Sequence, residues 1–229
     1  MPGYLPQDFV YLNEIDPTIQ TSLRYFTSNN FIGRRVTGYE ADVLITTAPL
    51  AHKLKEIQFH LKQEDYELVV YDAYRPQMAV DEFVVWSEIH EDQKMKSLFY
   101  PGVKKNEVFE LGYISRKSQH SKGLAVDITL IKRGNKLHKT IPQIRKLLDG
   151  SEINFLDDGT VDMGSSFDLF SEASHYENNL IAEQYKMQRN YLKNIMIKFD
   201  FHPYSKEWWH FSLANNELLP ETFFNFPVK

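Results

Sequence analysis

The sequence of 229 residues contains no cysteine. Disulfide bonds, thiolate metal sites and a cysteine nucleophile are therefore excluded. Any metal ion that the protein holds must be bound by histidine and carboxylate side chains. The absence of cysteine fits a cytosolic protein without excluding an exported one.

The sequence also lacks an excess of positive charge and any long apolar run. Its 26 Lys and Arg against 31 Asp and Glu give a net charge of −5, which argues against nucleic acid or an anionic membrane surface as a partner. No apolar run approaches the roughly 18 residues that a membrane span needs. The N-terminal segment MPGYLPQDFVYLNE has no signal-peptide pattern. We expect a cytoplasmic location, with the periplasm as the alternative if a signal has been trimmed, and nothing here indicates an oligomeric state.

What is present is the composition of a packed globular chain, with 42% hydrophobic and 25% charged residues. Apolar residues three or four apart, or a proline at the first position, predict helices at 48–64, 77–90 and 182–200. Apolar runs rich in β-branched or aromatic residues predict strands at 66–72, 124–131 and 208–213. We predict an α+β fold in which helices pack on a small, mostly antiparallel sheet.

Residues 132–166 are the least core-like part of the chain. They are charged and contain four glycines. We expect this stretch to leave the core, with a short helix at 141–148.

The segment SQHSKGLAVDITL, residues 118–130, places a carboxylate, Asp127, inside an apolar strand. A buried carboxylate is unfavourable unless something pairs with it, and a metal ion would do so. Gly123 would let the chain turn back so that His120 and Asp127 face one point. From the spacing alone, a loop histidine and an aspartate at a strand end fit about as well.

The segment KEWWHFS, residues 206–212, places Glu207 three residues before His210. The two tryptophans between them would exclude water and strengthen electrostatic contacts. Residues three apart share a face of a helix but not of a flat strand, so an edge strand with a surface glutamate is the alternative. His202 competes with His210 as a metal ligand.

Together the two segments have a chemical logic. Two histidines and one aspartate would leave one position of a zinc ion open for water, as a catalytic site needs. Zinc lowers the pKa of bound water to about 7, so that a nearby carboxylate can take the proton. Glu207 is the natural candidate for that base.

A third segment, YDAYRP at residues 71–76, places Arg75 between a strand and a helix. A guanidinium fixed there could stabilise negative charge on a carbonyl oxygen under attack. Taken alone, a structural arginine paired with Asp72 or another acid is the better interpretation.

These segments, with FVYLNEI, VTGYE, MGSSFD and the terminal FNFPVK, resemble the D-alanyl-D-alanine dipeptidases of the VanX type, a branch of the zinc D,D-peptidases. The resemblance runs nearly end to end. The wider group shares the His-x6-Asp and Glu-x2-His elements, whereas the surrounding residues are more specific to the dipeptidase branch.

The resemblance implies a zinc hydrolase that cleaves the small dipeptide D-alanyl-D-alanine. One zinc ion would be bound by His120, Asp127 and His210. Glu207 would act as general base and later give the proton to the leaving amine. Arg75 would steady the tetrahedral intermediate.

The resemblance also implies substrate-binding roles for Asp168, Ser118 and Tyr25. By charge, Asp168 is the partner for the substrate ammonium. Relative to the compact members of the family, the chain carries an insertion at about 132–160, within a single domain of residues 1–229.

Two other functions remain open from the sequence. The same zinc site would serve a D,D-carboxypeptidase or endopeptidase acting on peptidoglycan peptides. A non-catalytic zinc-binding module is the other, although the presence of Glu207 and Arg75 argues against it.

Overall fold

The computed structural model describes residues 5–214 and 222–229. The strands are β1 (Phe9–Tyr11), β2 (Gln20–Thr21), β3 (Ile45–Thr47), β4 (Tyr66–Asp72), β5 (Ala125–Lys132), β6 (Ile141–Lys146), β7 (Glu152–Asp157), β8 (Phe201–Tyr204) and β9 (Glu207–Leu213). The α-helices are α1 (Leu12–Ile15), α2 (Ala48–Leu61), α3 (Gln77–Glu88), α4 (Lys96–Phe99) and α5 (Glu183–Lys198). Within the described ranges, none of these helices has the length and apolar character that crossing a membrane requires.

The central feature is a five-stranded sheet in the order β2-β4-β5-β9-β8. Only β2 and β4 are parallel, and the other neighbours are antiparallel. Strand β5 lies in the middle and is buried along its length except at Lys132, which explains its almost unbroken apolar run. Helix α2 packs against β4, and α5 packs against β8 and β9. The predicted α+β class, with its mostly antiparallel sheet, is confirmed.

The three predicted helices and three predicted strands are present, with ends that differ from the predicted ones by at most three residues. Helix α2 shows why the pattern was readable. Its buried face is formed by Leu50, Leu54, Ile57 and Leu61, at helical spacing. Residues 62–64 continue it as a 3-10 turn.

The short helix expected at 141–148 is wrong. Strand β6 occupies this region and forms a two-stranded antiparallel hairpin with β7. Pro142 and the β-branched Ile141 and Ile144 favour extended backbone, and Arg145 lies over the ring of Phe155, 3.8 Å from its centroid. The interpretation of the chain as one domain with an insertion at about 132–160 stays a prediction.

The last eight residues, 222–229, tie together two segments that lead into the site described below. The Phe224 amide donates to the carbonyl of Ser121 at 2.8 Å, while the Phe224 carbonyl accepts from the amide of Gln77 at 3.0 Å. The Asn225 side chain accepts from the amide of Met78 at 2.7 Å. Asn225 therefore caps the first turn of α3 from a distant part of the chain.

Gln58 is a fully buried polar side chain that joins α2 to the sheet. Its carbonyl oxygen accepts from the Leu68 amide at 2.7 Å, and its amide nitrogen donates to the Thr18 carbonyl at 3.2 Å. We expect Gln58→Leu to lower the free energy of unfolding by about 1–3 kcal/mol, because leucine leaves the buried Leu68 amide without its acceptor and the Thr18 carbonyl without this donor. Urea unfolding measures this, and the exposed Gln63→Leu is the matched control. Equal midpoints for the two variants would contradict the expectation.

Candidate metal centre

His120 lies in a 3-10 turn, Gln119–Lys122, directly before β5. The Ser118 hydroxyl caps the turn by accepting from the His120 amide at 3.2 Å. Gly123 ends it at φ +71°, where an added Cβ would meet the ring of Phe9 at 2.7 Å. The predicted role of Gly123, turning the chain back before the strand, is confirmed.

The orientation of the His120 ring is set by one contact. Its Nδ1 lies 2.6 Å from the carbonyl oxygen of Ala73. A carbonyl can only accept, so Nδ1 carries the hydrogen and Nε2 presents a lone pair. His120 is therefore held in the tautomer that binds a metal through Nε2.

Three neighbouring strands place a row of polar residues across the sheet. Asp72 at the end of β4 is paired with Asp127 in β5, and Asp127 is paired with His210 in β9. The pairing of β4 and β5 shifts between Val70 and Asp72, a β-bulge of the kind that often re-aims side chains at functional sites. Residues that are 55 and 83 positions apart along the chain thus become direct neighbours.

One nitrogen of each histidine and one carboxylate oxygen form a compact triangle. His120 Nε2 lies 3.1 Å from His210 Nδ1 and 3.3 Å from Asp127 Oδ1, and the third side, from His210 Nδ1 to Asp127 Oδ1, is 3.0 Å. Two ligands of a tetrahedral zinc ion, each at about 2.0–2.1 Å, lie about 3.3–3.4 Å apart. The three donor atoms therefore fit one zinc ion.

Arg75 contacts both carboxylates of the row. Its Nε donates to Asp72 Oδ2 at 2.8 Å and its Nη2 to Asp127 Oδ2 at 3.2 Å. The guanidinium also lies over the rings of Tyr25 and Phe83, at 4.8 and 5.4 Å. Arg75 thus forms the structural pair with Asp72 that the sequence favoured. It also contacts Asp127, but through Oδ2, so that Oδ1 of Asp127 remains available to a metal ion.

Asp168 lies nearly buried, and the Tyr25 hydroxyl donates to its Oδ2 at 2.8 Å. Its backbone has φ +59°, a conformation that residues other than glycine seldom adopt. Burial, reinforced by the charge of Asp127, raises the pKa of Asp168 to about 8. A cation placed beside such a buried carboxyl group would favour its ionised form.

Glu207 begins β9, and its Oε2 lies 3.9 Å from His210 Nδ1. The pairing of β8 and β9 shifts between Pro203 and Tyr204, so the strict alternation of sides does not hold there. This irregularity explains how residues three apart on a strand reach the same point. Burial raises the pKa of Glu207 well above its usual range, and the charge of Asp127 raises it further.

These side chains surround a cavity of about 610 Å³. Its wall includes every candidate site residue, namely Tyr25, Arg75, Ser118, His120, Asp127, Asp168, Glu207 and His210. His202 is exposed on β8 and does not line the cavity, so the structure favours His210 over it. Segment 109–118 forms another part of the wall.

Two supporting residues were missed in the sequence. Tyr39 donates to Asp72 at 2.7 Å and so completes the row. Arg189, buried on α5, donates to the carbonyls of Met163 and Ala173, at 2.7 and 2.8 Å, and so closes the loop that carries Asp168. The sequence did contain a signal, since Arg189 lies four residues after Tyr185 and so on the apolar face of the helix. A charged side chain on such a face needs buried acceptors.

The comparisons with known proteins agree on one family. The family model described as D-ala-D-ala dipeptidase matches residues 6–139 and 152–229. The D-alanyl-D-alanine dipeptidase of Enterococcus faecalis is 34% identical over 220 residues, covering 96% of this chain and 98% of that protein. The enzyme of the same name from Streptomyces coelicolor is 32% identical over 221 residues, with the same coverage.

A more distant relative of that name, from Escherichia coli, is 27% identical over 220 residues and covers 94% of this chain and 91% of its own length. Among solved structures, a mutant of the vancomycin resistance D,D-pentapeptidase VanY in complex with Zn(II) covers 78% of each chain at 14% identity, with a TM-score of 0.40. The family model and the relatives above 30% identity show that this chain belongs to the D-ala-D-ala dipeptidase family.

Proposed function

We propose that this protein hydrolyses D-alanyl-D-alanine to two molecules of D-alanine, with one zinc ion held by His120, Asp127 and His210. The observation that carries the proposal is the triangle of donor atoms, 3.0–3.3 Å on a side, in the wall of a cavity. Relatives at 32–34% identity over nearly their whole length are named D-alanyl-D-alanine dipeptidases, which supports the substrate.

The ammonium group of the dipeptide is assigned to Asp168 and Tyr25. Asp168 is 5% exposed and paired with the Tyr25 hydroxyl. A substrate cation would compensate the cost of ionising this buried carboxyl group. Ser118 accepts from the His120 amide, so its hydroxyl hydrogen remains free to donate to the carboxylate end of the dipeptide.

Glu207 is assigned as the base and then the acid of the reaction. It takes a proton from the attacking water, whose oxygen joins the peptide carbonyl carbon, and returns a proton to the nitrogen as the C–N bond breaks. Zinc bound to the site would polarise the carbonyl and make water acidic enough to lose its proton near neutral pH. The raised pKa of Glu207 suits a group that must hold the proton between these two events.

Arg75 is assigned to the negative charge that develops on the carbonyl oxygen. Two of its five N–H groups are used on Asp72 and Asp127, and others remain in a side chain that lines the cavity. Its position is fixed before the substrate arrives, which is the condition for effective electrostatic stabilisation.

The burial of Asp168 favours a dipeptide over a longer peptidoglycan peptide. A longer chain would place an amide where the dipeptide has its ammonium. The carboxyl group of Asp168 would then lose its cationic partner inside the protein.

The base assignment predicts the effect of Glu207→Gln. The variant keeps the shape of the side chain but cannot take a proton. We expect kcat for D-alanyl-D-alanine to fall about 10²–10⁴-fold, with the zinc content of the protein unchanged. Ninhydrin detection of D-alanine together with metal analysis measures both quantities, and a variant with a near-normal rate would remove Glu207 from this role.

The ligand assignment predicts that His120→Ala loses zinc. Loss of a residue that only supports a metal ligand lowers metal affinity by about 10–100-fold. We expect the zinc affinity of His120→Ala to fall by more than this, because a ligand itself is removed. Competition with a chromogenic chelator gives the affinity. His202→Ala, which removes an exposed histidine close to the same strands, is the matched control and should bind zinc normally. Equal affinities in the two variants would refute the ligand set.

The ammonium assignment predicts a change of KM in Asp168→Asn. We expect KM for D-alanyl-D-alanine to rise by about 10–100-fold, the size of a lost charge-assisted contact. The wild-type protein should also cleave D-alanyl-D-alanine far faster than its N-acetylated form, and the variant should narrow that preference. An undiminished preference in the variant would show that Asp168 does not read the ammonium group.

A further inference from the structure

A buried charged network lies behind the Tyr25–Asp168 pair. The Arg24 guanidinium donates to Oδ2 of Asp158, and the Tyr71 hydroxyl donates to the same oxygen at 2.8 Å. The other oxygen of Asp158 accepts from the amide and hydroxyl of Thr160, at 3.2 and 2.6 Å. Arg24, Tyr71 and Asp158 are 5%, 3% and 4% exposed. We refer to these three residues as the Asp158 network.

The network reaches the pair from both sides. On one side, Arg24 directly precedes Tyr25 in the 3-10 turn Arg24–Phe26. On the other side, the Tyr71 ring stacks on the ring of Phe167, with 4.6 Å between centroids and an interplanar angle of 28°. Phe167 directly precedes Asp168. Both partners of the 2.8 Å hydrogen bond are therefore attached to groups that the network holds in place.

Asp168 needs such support for two reasons. Its left-handed backbone conformation is unfavourable for a residue with a side chain, so the surroundings must impose it. Its carboxyl group must also present one oxygen to Tyr25 while remaining available to the cavity. Small displacements of a positioning group can reduce binding or rate substantially.

None of the three network residues lines the cavity. They do not reach a substrate there, and their influence on one must pass through Tyr25 and Asp168. Asp158 comes from the segment between β7 and the Asp168 loop, inside the region that the sequence sets apart from the core. The bonds of Asp158 therefore connect that region to the part of the site that is assigned to the substrate ammonium.

We propose that Asp158 is a positioning residue for the ammonium end of the substrate site. By pairing with Arg24 and Tyr71 it fixes Tyr25 and the Asp168 loop at hydrogen-bond distance. This inference rests on the proposed function in that it takes Asp168 as the partner of a dipeptide ammonium. It adds that the region 132–160 contributes to substrate binding through a buried ion pair and not through the cavity wall.

The test uses the zinc-loaded full chain with Asp158→Asn and Tyr71→Phe. Asp158→Asn removes the charge that balances Arg24, and we expect KM for D-alanyl-D-alanine to rise about tenfold with kcat within about twofold and zinc content unchanged. Tyr71→Phe keeps the stacked ring and removes one hydrogen bond, so it should change KM in the same direction by less. It also keeps the test valid if Asp158→Asn fails to fold.

Asp162→Asn is the matched control. Asp162 forms an ion pair with Arg145 at 2.5 Å, and its Oδ1 accepts from the Gly164 amide at 2.8 Å. Asparagine keeps an oxygen acceptor for that amide, and Asp162 has no bond with the Asp158 network among the described residues. It should leave KM unchanged. A residue that served stability alone would lower the melting temperature without separating KM from kcat. Unchanged KM in both Asp158→Asn and Tyr71→Phe, or an equal rise in Asp162→Asn, would overturn the proposal.

A second measurement does not depend on turnover. Hydrogen exchange of the zinc-loaded protein without substrate should be faster at residues 165–170 in Asp158→Asn than in Asp162→Asn. If the wild-type protein does not cleave D-alanyl-D-alanine, the proposed function fails while this comparison still decides the positioning role. Equal exchange in the two variants would then overturn the inference.

Discussion

The architecture of the site depends on one constraint, the burial of the Asp127 carboxylate in the middle of the central strand. Asp127 is 2% exposed and lies between apolar neighbours. A charge in that position is strongly unfavourable unless it is paired on every side. One oxygen is met by Arg75 and the other by the two histidines, so the contacts that stabilise the carboxylate also assemble the donor set for a metal.

The same principle extends outward in layers. Asp72 and Tyr39 hold Arg75 and its surroundings, the Ala73 carbonyl orients His120, and Arg189 closes the loop of Asp168. Asp168 and Glu207 are less completely paired than these residues. Burial raises the pKa of both, which leaves two carboxyl groups facing the cavity with the capacity to exchange a cation or a proton. A site that binds an ammonium group and moves a proton requires such incompletely compensated groups.

The local sequence pattern was sufficient to predict the helices and strands that bury a face against the core. Helix α2 and strands β4 and β5 were predicted because their apolar residues follow a helical period or form a β-branched run. The hairpin of β6 and β7 was missed because β6 is almost entirely exposed, so no buried face imposes a period on its sequence. The position of Arg189 on the apolar face of α5 signalled a need for buried acceptors. Its partners could not be identified from the sequence, because most of them are backbone carbonyls, which every residue has.

By itself, the sequence determined the chemistry that was available. Without cysteine, a metal site had to use histidine and carboxylate, and the segments around His120, Asp127, Glu207 and His210 pointed to those residues and to a family. Only the tertiary structure decided that they meet. Sheet register sets Asp127 opposite His210, a strand irregularity brings Glu207 to the same point, and a buried ion pair links Asp158 to the neighbourhood of Tyr25. These relations join distant parts of the chain, and spacing along a sequence carries no information about which strands become neighbours.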